Sequence, residues 1–359
     1  MSTSPIRDDS PLASLLPRAP RCLRLAELPT PVERAPWLDG PAAEVWVKRD
    51  DASSAVYGGG KVRKLELVLG NPPHDGDAPI VSIGGLGSHH LLALALFLRP
   101  LGRTLHAWTF DQVMTPHVRT NLAVLMSCGA RLWSVRSRAA LPWAALGYYV
   151  WARPPQMGRW MTPGASSPLG ALGFVAAGLE LAQQIEAGAL PRPARVYITG
   201  GSAGSSAGLL VGLALAGVGT HLRVVSAVEP LFFNSFALRG LARKTLATLR
   251  QRGLPAQGGL DGLLARAGVT WSIDHRQVGP GYAVPTPAGA AEVERAASHG
   301  LKLETTYTGK CAAALRADLE SGDARGPVLL WNTHAGNELR ARIEDGWERR
   351  LPPRVRALL

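Results

Sequence analysis

Gly58-Gly59-Gly60-Lys61-Val62-Arg63-Lys64-Leu65-Glu66 sets one lysine between three glycines and the first turn of an amphipathic helix. Glycine lets a backbone come close to a bound group and reach positive φ. A helix start offers amide N–H groups and the positive end of a dipole to an anion. A lysine at that junction serves as a nucleophile for a carbonyl, as a cation for a phosphate, or as a plain cap on a surface helix.

Other segments narrow the choice. Upstream, Leu28-Pro29-Thr30-Pro31 precedes Glu44-Val45-Trp46-Val47-Lys48-Arg49-Asp50-Asp51, which reads as a short strand running into a charged turn. Downstream, Gly201-Ser202-Ala203-Gly204-Ser205-Ser206-Ala207-Gly208-Leu209 follows a predicted strand at Arg195–Thr199 and opens an apolar helix. Strand, Gly/Ser loop and helix suit a phosphate, because successive backbone N–H groups and hydroxyls surround an anion there without any arginine. Val278-Gly279-Pro280-Gly281-Tyr282 and Tyr307-Thr308-Gly309-Lys310 add two tyrosines in glycine-rich turns.

In this order the segments resemble the 1-aminocyclopropane-1-carboxylate deaminase/D-cysteine desulfhydrase family of pyridoxal-phosphate enzymes, from about Leu28 to Asn337. The family's motifs are a Thr-Pro start, a K-R-D-D turn, G-G-N-K-x-R-K-L-E, G-S-G-G-T-x-A-G-L, G-x-G-Y and Y-[TE]-G-K. The resemblance implies a two-lobed α/β fold of fold type II, like the tryptophan synthase beta chain, with parallel sheets flanked by helices and the cofactor between the lobes. It implies that Lys61 holds pyridoxal 5'-phosphate as a Schiff base. Gly201, Ser202, Ala203, Gly204 and Ser205 would then cradle its phosphate, His89 would face the ring oxygen, and Thr308 and Thr333 would lie toward the ring nitrogen. Ser88, Tyr282 and Tyr307 join Lys61 as catalytic residues on the same footing, and a homodimer is implied. The chain departs from the pattern where Gly60 replaces asparagine, where Ser88-His89-His90-Leu91-Leu92 stands for S-N-H-x-R, and where Thr333-His334-Ala335-Gly336 stands for T-G-G.

The implied reaction is a lyase or deaminase step on a small amino acid. The deaminases look like Y-E-G-K with an apolar residue at the later position, and this chain has Thr308 and Thr333 instead. A hydroxyl favours pyridine protonation less than a carboxylate does. D-cysteine desulfhydrase-like α,β-elimination to pyruvate, ammonia and sulfide is therefore preferred over 1-aminocyclopropane-1-carboxylate deamination. A catalytically divergent cofactor-binding protein is the non-enzyme alternative.

At 359 residues and 46% hydrophobic content the chain suffices for two lobes with buried cores. The expected organisation is a loose tail over residues 1–21, a large cofactor domain over 22–65 plus 171–359, and a small α/β domain over 66–170. Apolar runs alternate in βα fashion at Ile80–Ile83, Ser88–Phe97, Leu105–Thr109, Val118–Cys128 and Arg131–Val135. The alternation resumes at Ala171–Glu186, Arg195–Thr199, Ser206–Ala216, Leu222–Val228 and Val328–Asn332, implying two parallel sheets. Tyr148–Pro168, rich in Trp, Pro and Gly, reads as a connection between lobes.

The net charge of +12 raises nucleic acid as a partner, but the arginines are scattered and no aromatic-basic motif accompanies them. The apolar stretches Leu91–Leu98 and Ala207–Val218 are too short to span a bilayer. Cys22, Cys128 and Cys311 are few and widely spaced, which suggests reduced thiols and no zinc site. With no continuous apolar leader at the N-terminus, a cytoplasmic enzyme without nucleic-acid or membrane partners is expected. One rival constellation remains. Gly204-Ser205-Ser206-Ala207-Gly208 satisfies G-x-S-x-G, and Asp274 and His334 follow in the order of a serine hydrolase. His89-His90 lacks metal-ligand spacing.

Overall fold

The computed structural model of the chain describes residues 6–137, 140, 143, 146, 147, 158–255 and 257–359. Its strands are β1 Val32–Arg34, β2 Ala43–Arg49, β3 Ile80–Gly85, β4 Leu105–Phe110, β5 Arg131–Val135, β6 Arg159–Trp160, β7 Arg195–Gly200, β8 His221–Ser226, β9 Thr270–Asp274 and β10 Gly326–Asn332. The helices are α1 Pro11–Leu15, α2 Gly60–Val68, α3 His89–Leu98, α4 Pro116–Ser127, α5 Pro168–Glu186, α6 Gly204–Leu215, α7 Ser235–Gln251, α8 Leu260–Arg266, α9 Pro287–Ser298, α10 Thr308–Glu320 and α11 Pro353–Arg356. The chain forms two compact units, residues 1–67 with 166–336, and residues 68–165 with 337–359.

The larger unit carries a six-stranded sheet in the order β1-β2-β10-β7-β8-β9. All its neighbours are parallel except β1, which runs antiparallel to β2 at the edge. Val and Ile recur in β7 and β8, where branched side chains suit a pleated, buried surface. Helices α5 and α6 are apolar nearly all round and buried on most faces, as core helices must be. They pack closely because a Cβ at Gly208 would come within 2.1 Å of the Ala171 carbonyl, and one at Gly173 within 2.1 Å of the Arg63 carbonyl on α2. The register aligns Asn332 with Arg49, Leu330 with Tyr197, and Gly200 with Ser226. The carboxyl ends of β2, β10, β7 and β8 thus share one edge, where ligands collect in open α/β sheets.

The K-R-D-D segment does not form the solvated turn its charge suggests. Lys48 and Asp50 are fully buried, together with Arg63, and form an ionic cluster with the equally buried Glu180 of α5. Arg63 Nε donates to both Asp50 oxygens at 3.0 and 3.1 Å, Nη1 donates to Glu180 at 2.9 Å, and Nη2 reaches Thr30 Oγ1 at 2.9 Å. Lys48 Nζ donates to Glu180, to the Thr30 carbonyl and to Gln184. Trp331 Nε1 on β10 closes the cluster on Asp50 Oδ2 at 2.8 Å. Two cations face two carboxylates, which is the condition for burying charge at tolerable cost. Burial alone would raise the Glu180 carboxyl, but Arg63 and Lys48 overcome it and hold the group down at about 2.

The smaller unit holds a parallel sheet in the order β5-β4-β3-β6, flanked by α3 and α4. Residues Leu91–Leu98 are buried along α3. Trp108 stacks on Trp133 at 5.6 Å beside Val81. Among the described residues no helix is long and apolar enough to cross a membrane.

The expected boundaries need correction at both ends. From Ile6 onward the N-terminal segment is anchored: Ile6 bridges Leu23, Leu12 and Leu16 enter the main core, and Arg7 reaches the Ala26 carbonyl and Glu66. The final segment groups with the smaller unit because Glu344 N bonds Ser127 Oγ, Arg350 bonds the Met126 carbonyl, and Arg354 pairs with Asp111. Ser166–Gly170 belongs to the larger unit, and Arg159–Trp160 is the edge strand beside β3. The expected connection over Tyr148–Pro168 falls outside the described residues from 148 to 157.

Arg63→Met leaves two buried carboxylates facing the single cation Lys48 and is expected to cost about 3–5 kcal/mol, read by urea denaturation. Glu180, near 2 when folded against about 4.3 unfolded, stabilises fully above the unfolded value and loses that contribution as pH falls through about 2. Glu180→Gln is therefore expected to flatten the acid branch of the stability profile below about pH 4.

Candidate active site

Lys61 is placed by its neighbours on both sides. Gly59 N donates to the Asp50 carbonyl at 2.6 Å and Gly60 N to the Thr333 carbonyl at 3.1 Å, tying the glycine loop to the ends of β2 and β10. Gly59 sits at φ +83, and a Cβ there would approach the Thr333 carbonyl to 2.6 Å, so only glycine fits. Two residues after Lys61, Arg63 locks α2 into the ionic cluster. The expected Gly60 departure is accommodated: a Cβ there would meet Phe174 at 2.8 Å and Thr333 Cβ at 3.3 Å.

Burial pushes the Lys61 ammonium below its ordinary range, with Glu304 pulling the other way. Lys64, one turn on, is pushed well down by burial and by the Lys61 charge. The Lys61 Nζ lies 5.9 Å from the centre of the Tyr307 ring. The Tyr307 hydroxyl donates to that of Tyr282 at 3.0 Å, so the two predicted tyrosines form one pair beside the lysine.

The same ring borders the Gly/Ser loop. A Cβ on Gly201 would stand 3.2 Å from Tyr307 Cε1. Helix α6 opens at Gly204 with no side-chain cap and no acidic residue in its first turn. Its first N–H groups therefore have no intrahelical acceptor. Ala203, where the family motif has glycine, takes the left-handed φ of +63 at a cost of roughly 1–2 kcal/mol. Such strain persists where surrounding structure over-determines the backbone. Ser202 Oγ lies 2.8 Å from Ser166 Oγ, and Ser205 follows at the second position of the helix. A molecule bearing both a phosphate and a carbonyl finds an anion cradle and an amine on two sides of Tyr307.

Of the two threonines, Thr308 is committed locally. Its Oγ1 accepts from Glu304 N at 3.0 Å and lies 3.5 Å from Glu304 Oε1. Glu304 in turn accepts from the N–H groups of Thr306, Tyr307 and Thr308 at 2.7–3.0 Å, capping α10. Thr333 is the threonine that borders the lysine loop, through its carbonyl and Cβ. Lys310 is buried and donates to the Val278 carbonyl at 2.8 Å, joining the two tyrosine segments.

Ser88 and His89 belong to the smaller unit, at the carboxyl end of β3. Ser88 Oγ caps α3 through Leu91 N, and a Cβ on Gly84 would strike that oxygen at 2.5 Å. His89 opens α3 and meets His117 of α4, Nε2 to Nε2, at 3.1 Å. His90 turns elsewhere, to Ser82 Oγ at 2.9 Å.

The serine-hydrolase constellation does not assemble. Ser206 is buried with its Oγ on the Ala203 carbonyl, and Asp274 is held by Arg276 and Arg223. Glu304, Ser166 and Glu229, whose Oε1 accepts from Tyr282 N, were missed from sequence.

The chain is similar to known proteins over most of its length. The family described as pyridoxal-phosphate dependent enzyme matches residues 23–333. A D-cysteine desulfhydrase from Salmonella paratyphi A is 29% identical over 340 residues, covering 89% of this chain and 94% of the relative. Nocardicin C-9' epimerase from Nocardia uniformis subsp. tsuyamanensis is 33% identical, covering 90% and 94%. The solved structure of an ACC deaminase homologue superposes with a TM-score of 0.73 at 21% identity, covering 91% of this chain and 95% of that one.

Replacing Lys61 with Ala is expected to abolish the visible absorbance of the lysine-bound cofactor while leaving the far-ultraviolet circular dichroism intact. A Lys61→Ala protein that keeps the absorbance would show that another amine carries the linkage.

Proposed function

We propose, from the premise that the chain belongs to the pyridoxal-phosphate-dependent enzyme family, in its fold-type II 1-aminocyclopropane-1-carboxylate deaminase/D-cysteine desulfhydrase branch, that it eliminates a thiol from a small D-amino acid. D-cysteine and water would give pyruvate, ammonia and hydrogen sulfide. The observation that carries this reading is the Lys61 amine, depressed by burial and set beside Tyr307 next to an uncapped helix start.

Pyridoxal phosphate, when bound, supplies the sink for electrons released at the amino acid's Cα. The residues present fit it: Gly201, Ser202, Ala203, Gly204 and Ser205 would hold the phosphate and Lys61 the carbonyl carbon. Lys61 would accept the Cα proton, which it can do only as the neutral amine that burial favours. The Tyr282–Tyr307 hydroxyl pair carries a proton to the departing sulfur. Ser88, which caps α3 in the smaller unit, would take the substrate carboxylate, as the resemblance implies. Thr333 would offer the ring nitrogen a hydroxyl in place of the carboxylate that would hold a proton there. Glu304, the carboxylate beside Thr308, is taken up by three backbone N–H groups. This favours expulsion of a thiolate over opening of a cyclopropane.

Stereoinversion at Cα is the second reading, favoured by the tyrosine pair as a proton donor distinct from Lys61 and by the epimerase relative. Incubation in deuterated water with D-cysteine, β-chloro-D-alanine, their L-isomers and 1-aminocyclopropane-1-carboxylate separates the cases. Pyruvate from both D-substrates, with sulfide from D-cysteine and little turnover of the cyclopropane, is expected. Inverted amino acid deuterated at Cα without pyruvate would favour inversion instead, and preferential turnover of the cyclopropane would contradict the role given to the threonines.

A further inference from the structure

The turn from Gly84 to Ser88, between β3 and α3, is shaped by side chains that lie outside it. Gly87 is buried, and both of its backbone polar groups are taken by side chains. Its N–H donates to Gln112 Oε1, in the loop after β4, at 3.2 Å. Its carbonyl accepts from Nδ2 of Asn121, buried on α4, at 3.0 Å. An N–H only donates and a carbonyl only accepts, so these contacts orient both amides. The fit is close: a Cβ on Gly85 would stand 2.5 Å from Gln112 Oε1, and one on Gly87 2.8 Å from Val118 Cγ2. Ser88 N then closes the turn on the Gly85 carbonyl at 3.0 Å. No lysine or arginine lies between Gly84 and Leu98, and the buried Leu92 stands where the resemblance implies an arginine. A carboxylate brought to Ser88 finds no ammonium or guanidinium in this segment and depends on hydrogen bonds, which weaken when misaligned.

We infer that Gln112 and Asn121 are positioning residues, which hold Gly87 from both sides and so set Ser88 for the substrate's carboxylate. Gln112 fixes the peptide plane before Gly87 and Asn121 the plane after it. The two side chains come from separate elements, so each plane is held independently. Because Gly87 is buried, losing either partner leaves a backbone group that must turn to find another, and Ser88 turns with it. A turn held in place before the substrate arrives has less freedom to lose on binding, which is where its contribution to affinity lies. Neither Gln112 nor Asn121 touches the substrate in this account. The inference rests on the proposed role of Ser88, whereas the contacts to Gly87 rest on the smaller unit alone.

The test compares two amines on the full-length, cofactor-loaded protein: D-alanine, which has no leaving group at Cβ, and ethylamine, which lacks the carboxylate. Binding is read from the change in visible absorbance on titration. Wild type is expected to bind D-alanine the more tightly. Gln112→Leu and Asn121→Leu are each expected to raise the dissociation constant of D-alanine about tenfold, the order of one net hydrogen bond, and that of ethylamine by less than about twofold. A purely structural role would weaken both amines alike. Equal weakening in either folded variant therefore overturns the inference, as does a folded variant that binds D-alanine as tightly as wild type. Gln112 is half-buried and lies outside α4, so its variant decides the matter if Asn121→Leu does not fold. A wild type that binds the two amines alike overturns the role of Ser88, and the inference with it.

Discussion

One guanidinium, that of Arg63, organises the larger unit. It lies between two buried carboxylates, Asp50 after β2 and Glu180 on α5, and also holds the Thr30 hydroxyl. Because Arg63 follows Lys61 by two residues, the ion cluster fixes where α2 starts and so where the lysine stands. The conspicuous residues Thr30, Lys48, Asp50 and Arg63 support the lysine from behind, and none of them is needed to touch a ligand. Pairing makes this arrangement stable only while complete, since a single missing partner leaves an uncompensated charge in a medium that solvates it poorly.

The working edge of the sheet follows from register. Parallel pairing of β2, β10, β7 and β8 brings Asp50, Thr333, Gly201 and Glu229 to the same side, although they are far apart in sequence. The Tyr307 ring lies beside both the lysine and the Gly/Ser loop, and Glu304 holds the turn that carries Tyr307 by capping α10. A positive helix start without a capping side chain and an amine pushed toward neutrality lie on two sides of Tyr307. The first attracts an anion, and the second is ready to attack a carbonyl.

Much of this was legible in the sequence. Short apolar runs alternating with helical ones marked β3, β4, β5, β7, β8 and β10, and the Gly/Ser loop marked the start of α6, because local chemistry dictates both. The edge strand β1, the strand β9 and the helices from α7 to α10 were not singled out. The apolar faces of α7 and α9 are one-sided and interrupted by charge, with Arg239, Arg243 and Lys244 along α7 and Glu292 and Arg295 in α9. The burial of Lys48 and Asp50 was equally hidden, since charge suggests a solvated turn until Glu180, some 130 residues away, is known to face it. The N-terminal segment has no period, yet Leu12 and Leu16 anchor it to the core. At the site, Lys61, Tyr282 and Tyr307 converge, while Thr308 turns to Glu304 and His89 meets His117, contacts that depend on tertiary neighbours absent from any motif.

The account depends most on Lys61 as the residue that binds the cofactor covalently. Borohydride reduction of the yellow protein followed by peptide mass mapping tests this directly. The reduced pyridoxyl-phosphate mass is predicted on the peptide containing Lys61 and on no other lysine. Its appearance on the adjacent Lys64, or on any lysine elsewhere in the chain, would contradict the account.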